Sequence, residues 1–246
     1  MTTAAELWGG GEYERIAERF APIHDELVAR LAPRRGERWL DVATGTGEVA
    51  LRAARAGAEV VGVDIAPKLL AQARAKSAEI EWVEGDAQAL PFSEASFDVV
   101  SSNFGVIFAP DHEAAATELA RVCRGRLGLT AWRPNEGLHA IYARFAQEDG
   151  SPSDAWGSEE RIAELLGDAF ELEFEERVWH LEGGSPEDVW NLMATGAPPV
   201  KALVDSLERV RREEFRAAML DYWGGFRTAD GVSEPRRYLL VLGRRR

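Results

Sequence analysis

The chain has 246 residues and a formal net charge of −13, with 42 acidic against 29 basic side chains. That balance excludes a partner recognised by phosphate neutralisation, because no bulk positive surface is available to meet a nucleic acid or an acidic membrane. The length allows one large domain with a sizeable core, and the single cysteine, Cys123, excludes an internal disulfide and a cysteine metal pair.

The opening "MTTAAELWGGGEYERI" has no apolar run preceded by basic residues, and no uninterrupted apolar stretch approaches the ~20 residues of a membrane span. A soluble cytoplasmic protein is therefore expected. Between Tyr13 and Leu31, the residues Ile16, Phe20, Ile23 and Leu27 recur every three or four positions, which predicts an amphipathic helix kinked at Pro22. The strand "RWLDVA" follows, then a helix over residues 46–56 that stops at Gly57. "AEVVGVDIA" is a second strand, and "PKLLAQARAKSA" is a helix with proline in its first turn, where a missing N–H costs little. "IEWVEGD" and "FDVVSSNF" are further strands. A helix from Asp111 to Cys123 leads to "RLGLTAW", and Cys123, at helical spacing from Leu119, reads as a small core residue. Strands alternating with helices of this length imply parallel pairing through right-handed crossovers, hence a doubly wound sheet.

The organisation changes after Trp132. Residues 133–158 are polar and rich in glycine and proline, which predicts a surface connection. "SEERIAELLGDAF" is a capped helix ending at Gly167, while "FELEFEERVWHL" and "RRYLLVLGRR" read as strands. Between them, residues 186–226 form helices outside the alternation. Their aromatics Trp190, Tyr222, Trp223 and Phe226 offer either a flat lid over a substrate or an ordinary helical core.

The stretch "WLDVATGTGEVAL" carries the chemistry. In open α/β sheets ligands bind beyond the carboxyl ends of the strands, and the first strand–helix turn lies there. Gly45 and Gly47 permit close approach to that backbone, and a helix starting near Thr46 points free N–H groups at a ligand. "GTGEVA" also fits the loose dinucleotide pattern G-x-G-x-x-G/A, so a nicotinamide-dependent oxidoreductase stays open. Asp41, four residues before Gly45, would repel a pyrophosphate and suit an ammonium or sulfonium group.

With these residues the chain resembles the class I S-adenosylmethionine-dependent methyltransferases, whose first motif runs acidic-x-G-x-G-x-G. Here it reads Asp41-Val-Ala43-Thr44-Gly45-Thr-Gly47, with Ala43 in place of the first glycine. "VVGVDIA" ends in Asp64, "EGDAQALPF" carries Asp86, and "FDVVSSNFGVIF" is the fourth strand with its loop. "RGRLGLTAW" resembles the fifth strand of the small-molecule branch, which includes ubiquinone and menaquinone biosynthesis methyltransferases. The likeness covers roughly residues 35–133. It implies a Rossmann-like α/β fold: a doubly wound, mostly parallel seven-stranded sheet with an antiparallel C-terminal strand and a helical cap insertion at 186–226. All of this forms one domain over residues 1–246, with 1–34 as an N-terminal helical cover.

The same resemblance implies S-adenosyl-L-methionine as cofactor and no metal. Asp64 would accept from both ribose hydroxyls and Ile65 would pack on the adenine. Asp86 would accept from the adenine amino group, and the N–H of Ala87 would meet a ring nitrogen. Ala43, Thr44, Gly45 and Gly47 form the loop beneath the cofactor, Asp41 and Asn103 lie near its methionine end, and Tyr13 closes over it, with "WGGGEY" as the flexible base of the cover. The acceptor is a small molecule, methylated by in-line displacement mainly through positioning. A base helps when the acceptor is a hydroxyl or a protonated amine. Among His24, His112, His139 and His180, His139 is preferred because it follows "WRPNEG", a loop expected to border the acceptor pocket. A protein that binds the cofactor without transferring a methyl group is the remaining alternative.

Overall fold

The computed structural model describes residues 3–146 and 156–246. Residues 147–155, which belong to the predicted surface connection, lie outside the described residues.

The N-terminal segment holds two short helices, α1 (Ala4–Trp8) and α2 (Tyr13–Ala17), and the longer α3 (Ala21–Leu31). The single kinked helix expected from Tyr13 to Leu31 is thus broken by a 3-10 turn over Glu18–Phe20, and Pro22 sits in the first turn of α3, where its ring needs no preceding carbonyl. The apolar face is continuous nevertheless: Ile16, Phe20, Ile23, Leu27 and Leu31 are all buried.

The alternating core follows: β1 (Arg38–Val42), α4 (Glu48–Arg55), β2 (Glu59–Asp64), α5 (Pro67–Lys76), β3 (Glu81–Glu84), β4 (Phe97–Asn103), α6 (His112–Val122) and β5 (Cys123–Trp132). Asp111 caps α6 by accepting from the N–H of Ala114. The Cys123 thiol is buried and burial pushes its pKa up to about 11, which fits a packing role. Residues 133–158 are not wholly a surface connection. They contain α7 (Glu136–Ala143), started by the side chain of Asn135, which accepts from the N–H of Leu138. Gly137 lowers helix propensity here, yet a Cβ at that position would stand 2.9 Å from the ring of Tyr222, so the bare backbone allows a helix–helix contact.

The rest comprises α8 (Glu159–Leu166), β6 (Phe170–Gly183), α9 (Pro186–Gly196), α10 (Pro198–Ser206), α11 (Arg209–Gly224), the two-residue β7 (Arg227–Thr228) and β8 (Gly231–Arg245). The strand order is β3-β2-β1-β4-β5-β8-β6, with β7 paired to β8 as a small eighth strand. Strands β3, β2, β1, β4 and β5 pair in parallel, and β8 runs antiparallel to both β5 and β6. The order reverses between β1 and β4, the place where such sheets bind ligands. Pairing of β6 with β8 extends to Gly183↔Val232, whereas β5 ends against β8 at Trp132↔Tyr238. The β6–β8 ribbon therefore runs past the end of β5, and helices α9–α11, inserted between its strands, are carried over the open end of the sheet. On β5, Gly128 leaves room for Leu27 and Leu31, whose carbons lie 2.5–2.9 Å from where its Cβ would be, so α3 packs directly on the strand.

Candidate active site

Two cavities meet at the C-terminal edge of the sheet. The first is built on the glycine loop between β1 and α4. Three loop residues have left-handed backbones: Ala43 (φ +54°), Gly45 (φ +57°) and Gly47 (φ +86°). A Cβ on Gly47 would lie 2.5 Å from the indole of Trp82, so this glycine serves the packing of β3 rather than a ligand. Gly45 is the open one, and its would-be Cβ meets only the ring of Tyr13, at 3.1 Å. Ala43 stands where the family motif has glycine. Its methyl is accommodated because Gly105 opposite is bare, a Cβ there falling 2.4 Å from that of Ala43.

The loop is anchored by two buried carboxylates. Asp64, at the tip of β2, accepts from the N–H of Gly45 (2.8 Å) and of Ala66 (2.8 Å), leaving further lone-pair sites for a ligand. Burial raises its pKa above the usual range. Asp41 accepts from the hydroxyls of Thr44 (2.6 Å) and Ser101 (2.7 Å), and Ser101 in turn accepts from the indole N–H of Trp39 (2.8 Å). Burial lifts Asp41 to about 6 in spite of those hydrogen bonds. Beside Asp41 lie two buried polar atoms without partners, His24 Nδ1 and Thr46 Oγ1. Both residues line, with Asp41, Ala43, Asn103 and Tyr13, a cavity of only about 20 Å³. Burial lowers His24 to about 4, so its ring is neutral at pH 7.

Of the predicted cofactor residues, Asp41, Ala43, Thr44, Asn103 and Tyr13 share this small cavity, and Asp64 and Gly45 adjoin it through their hydrogen bond. Ile65, Asp86 and Ala87 follow the neighbouring strand ends outside it. The carboxylate of Asp86 is engaged locally, accepting from the backbone and side-chain amide of Gln88. Asn103 accepts from Thr130 Oγ1 (2.8 Å). Sequence reasoning passed over Thr46 and placed His24 only among candidate bases. The signal for His24 was its place on the apolar stripe of α3, four residues after Phe20 and three before Leu27.

The second cavity, about 1010 Å³, opens beyond Tyr13, which lines both. Its floor is Phe104 stacked on Trp132, with centroids 3.8 Å apart and planes 1° from parallel. Trp8 and Phe108, 4.8 Å apart, and Trp179 complete the aromatic wall. The lid aromatics expected from the cap are not among the residues that line it. Trp190, Trp223 and Phe215 are packed inside the cap, and Tyr222 donates to Glu234, so the helical-core reading of these residues holds. The cap faces the cavity instead with Met193, Ala197, Val200 and Leu203. His139 lies on the cavity wall in α7. His112 packs near Trp156, and His180 pairs with Ser233 on β8; neither lines either cavity.

Among the described residues no three His, Cys, Asp or Glu side chains gather as for a metal ion, and no helix is long and apolar enough to cross a membrane.

Residues 40–126 match the methyltransferase domain family. A functionally uncharacterised protein of Mycobacterium bovis is 42% identical over 181 residues, covering 68% of this chain and 66% of that protein, so the chain spans just under two thirds of that relative. The demethylmenaquinone methyltransferase of Thermus thermophilus is 44% identical over 117 residues, 44% of this chain and 52% of its own. A phosphoethanolamine N-methyltransferase of Haemonchus contortus, solved with phosphomonomethylethanolamine and S-adenosylhomocysteine, superposes with a TM-score of 0.58 at 17% identity, covering 91% of this chain and 52% of that one. A glycine loop flanked by acidic strand tips on a 3-2-1-4-5 parallel sheet with an antiparallel return strand defines an α/β methyltransferase fold. The chain therefore carries a methyltransferase domain over residues 40–126.

Proposed function

We propose that this protein transfers a methyl group from S-adenosylmethionine to a small-molecule acceptor held in the large aromatic cavity. The observation that carries the reading is the cluster beside the glycine loop: a carboxylate poised near neutrality, Asp41, with an unpartnered buried hydroxyl, Thr46, and an unpartnered buried imidazole, His24. Orphaned buried polar atoms are costly, and a zwitterionic amino-acid end would satisfy both kinds at once. The donor set therefore fits the cofactor.

When bound, S-adenosylmethionine supplies an electrophilic methyl carbon on a sulfonium. Asp41 and Asn103, joined by Thr46 and His24, hold the methionine end. Asp64 accepts from the ribose hydroxyls, Ile65 packs on the adenine, and Asp86 with the N–H of Ala87 reads its edge. Since about 20 Å³ remains beneath Tyr13, that ring must leave Gly45 for the cofactor to enter. Helices α1 and α2 suit such a cover, because they dock on the cap through Glu12 N–H to Thr195 O (2.9 Å) rather than on the sheet. Holding donor and acceptor in line in a water-poor cavity is the main contribution of the chain, an effect worth up to ~7–11 kcal/mol. His139, on the cavity wall, takes the acceptor's proton.

Calorimetric titration with S-adenosylhomocysteine tests the reading. Saturable binding is expected, with no comparable response to NADH, and absence of heat refutes it. His139→Ala is expected to lower turnover by a factor of at least about 10² and to remove one limb of the pH–rate profile. An unchanged profile removes His139 from the chemistry and leaves positioning alone.

A further inference from the structure

We infer that the acceptor is a flat, largely apolar molecule bearing an anionic oxygen, and that Arg236 grips this oxygen opposite the aromatic floor; this rests on reading the large cavity as the acceptor site. The floor supplies the first half of the argument. Phe104 and Trp132 lie in parallel contact, and Trp8, Phe108 and Trp179 stand around them, so this side of the cavity offers ring faces.

The second half comes from β8. Its residues Glu234, Arg236 and Tyr238 alternate onto one face, and Tyr238 meets Phe104 with centroids 5.6 Å apart, so that face looks onto the aromatic floor. Glu234 is fully buried yet takes four hydrogen bonds, from Tyr222 Oη (3.0 Å), Trp223 Nε1 (2.8 Å) and Arg236 Nε (3.1 Å) and Nη2 (3.0 Å). Tyr222 is itself held by the amide of Asn135 (2.9 Å). One edge of the Arg236 guanidinium is thereby pinned. Its Nη1 has no partner among the described residues, and Arg236 lines the cavity. A purely structural ion pair accounts for the pinned edge alone.

The neighbouring cations are placed differently. Arg133 donates to Glu176 (3.1 Å), Glu159 (3.1 Å) and the carbonyl of Gly157 (3.2 Å), and Arg237 is largely exposed and turned toward Glu176 (3.9 Å). Glu176 is thus neutralised, and the other acid on this wall, Glu136, is exposed in the first turn of α7. Arg236 is the cation on this wall that is mostly buried and held rigidly with a free Nη1, a planar fork suited to a carboxylate, phenolate or enolate oxygen. A ligand without an acceptor oxygen at this point leaves the Nη1 donors unpaired inside the cavity, which is the situation in which sites discriminate strongly.

The test compares two probes of one shape, 2-naphthoate and 2-naphthamide, binding to the full chain saturated with S-adenosylhomocysteine. Quenching of the cavity tryptophans gives both affinities. The naphthoate is expected to bind at least tenfold more tightly, and Arg236→Met should abolish that preference while S-adenosylhomocysteine affinity stays within twofold. Because that variant strands a buried carboxylate, the double variant Glu234→Gln with Arg236→Met is measured beside it and should show the same loss. Equal affinity for the two probes, or no binding of the naphthoate, overturns the inference. Failure of S-adenosylhomocysteine to bind would instead overturn the methyltransferase reading.

Discussion

The cradle on the glycine loop and the aromatic cavity share Tyr13 as a wall and are built on opposite plans. The cradle is narrow, polar and local: Asp41, Gly45, Thr46 and Asp64 come from two adjacent strands and one turn, and Asp41, Gly45 and Asp64 are fixed by hydrogen bonds while the Thr46 hydroxyl is left unpaired. The cavity is wide, largely aromatic and aliphatic, and assembled at long range, with Trp8, Phe104, Trp132 and Trp179 drawn from four separate segments of the chain. Under the proposed function, the cofactor would meet the part of the chain that a strand–turn–helix encodes, while the acceptor would meet inserted and terminal segments free to vary.

The sharpest way to break this division is Asp64→Ala. Two charge-assisted hydrogen bonds to the cofactor at about 1.5–3 kcal/mol each predict a loss of roughly 10²–10⁴ in S-adenosylhomocysteine affinity by calorimetry. A change below threefold would mean that the sugar is held elsewhere. Next in size is a stability effect. Gly47→Ala combines a left-handed backbone with a 2.5 Å clash on Trp82, so a loss of about 2–4 kcal/mol is expected in denaturant unfolding. Gly36→Ala is the control, with φ +78° but open space around it, and should cost only about 1–2 kcal/mol. Equal losses would show that strain, not packing against Trp82, governs the loop.

The third prediction is a pH dependence. The folded pKa of Asp41 is raised to about 6 from an unfolded value near 3.9. A raised carboxyl contributes stability that is fully present below the unfolded value and is lost as pH climbs through 6, so the free protein loses this contribution between about pH 4 and pH 6. A ligand with an ammonium group favours the ionised form, and its affinity should fall by up to about tenfold per pH unit below 6. Asp41→Asn should flatten that profile, and a slope retained in the variant would assign it to another group. The smallest expected effect is in the cavity. Trp179→Ala removes aromatic wall worth about 0.5–1.5 kcal/mol, predicting an acceptor KM raised about twofold to tenfold with S-adenosylhomocysteine affinity unchanged. Parallel weakening of both ligands would erase the distinction between the two sites. Cleavage by protease near Gly9–Gly11, slowed by S-adenosylhomocysteine, would place the cover on the cofactor's path, and identical cleavage with and without it would not.

The residues legible in the sequence are those whose role is set by neighbours in the chain. The alternation of apolar strands with helices predicts the parallel order, and the glycines and acids at strand tips mark the turn because few other residues serve there. Even so, the spacing did not distinguish Gly45, which faces Tyr13, from Gly47, which makes room for an indole from β3. The cap aromatics stay open between a lid and a helical core in the sequence because helical periodicity identifies an apolar face without saying what it covers. Trp190 and Trp223 turn that face inward. Helix α7 was hidden by Pro134 and Gly137, whose bare backbone is explained only by the ring of Tyr222 against it.

By itself the amino-acid order determined the sheet, its loop and the acidic strand tips, because strand periodicity, glycine dihedrals and caps act over a few residues. Only the tertiary structure decided the aromatic cavity, the orphaned Thr46 and His24, and the pinning of Arg236 by Glu234, itself held by Tyr222 and Trp223. Those depend on which faces meet when distant segments pack, and burial, which sets both desolvation and the cost of an unpaired polar group, exists only after they have met.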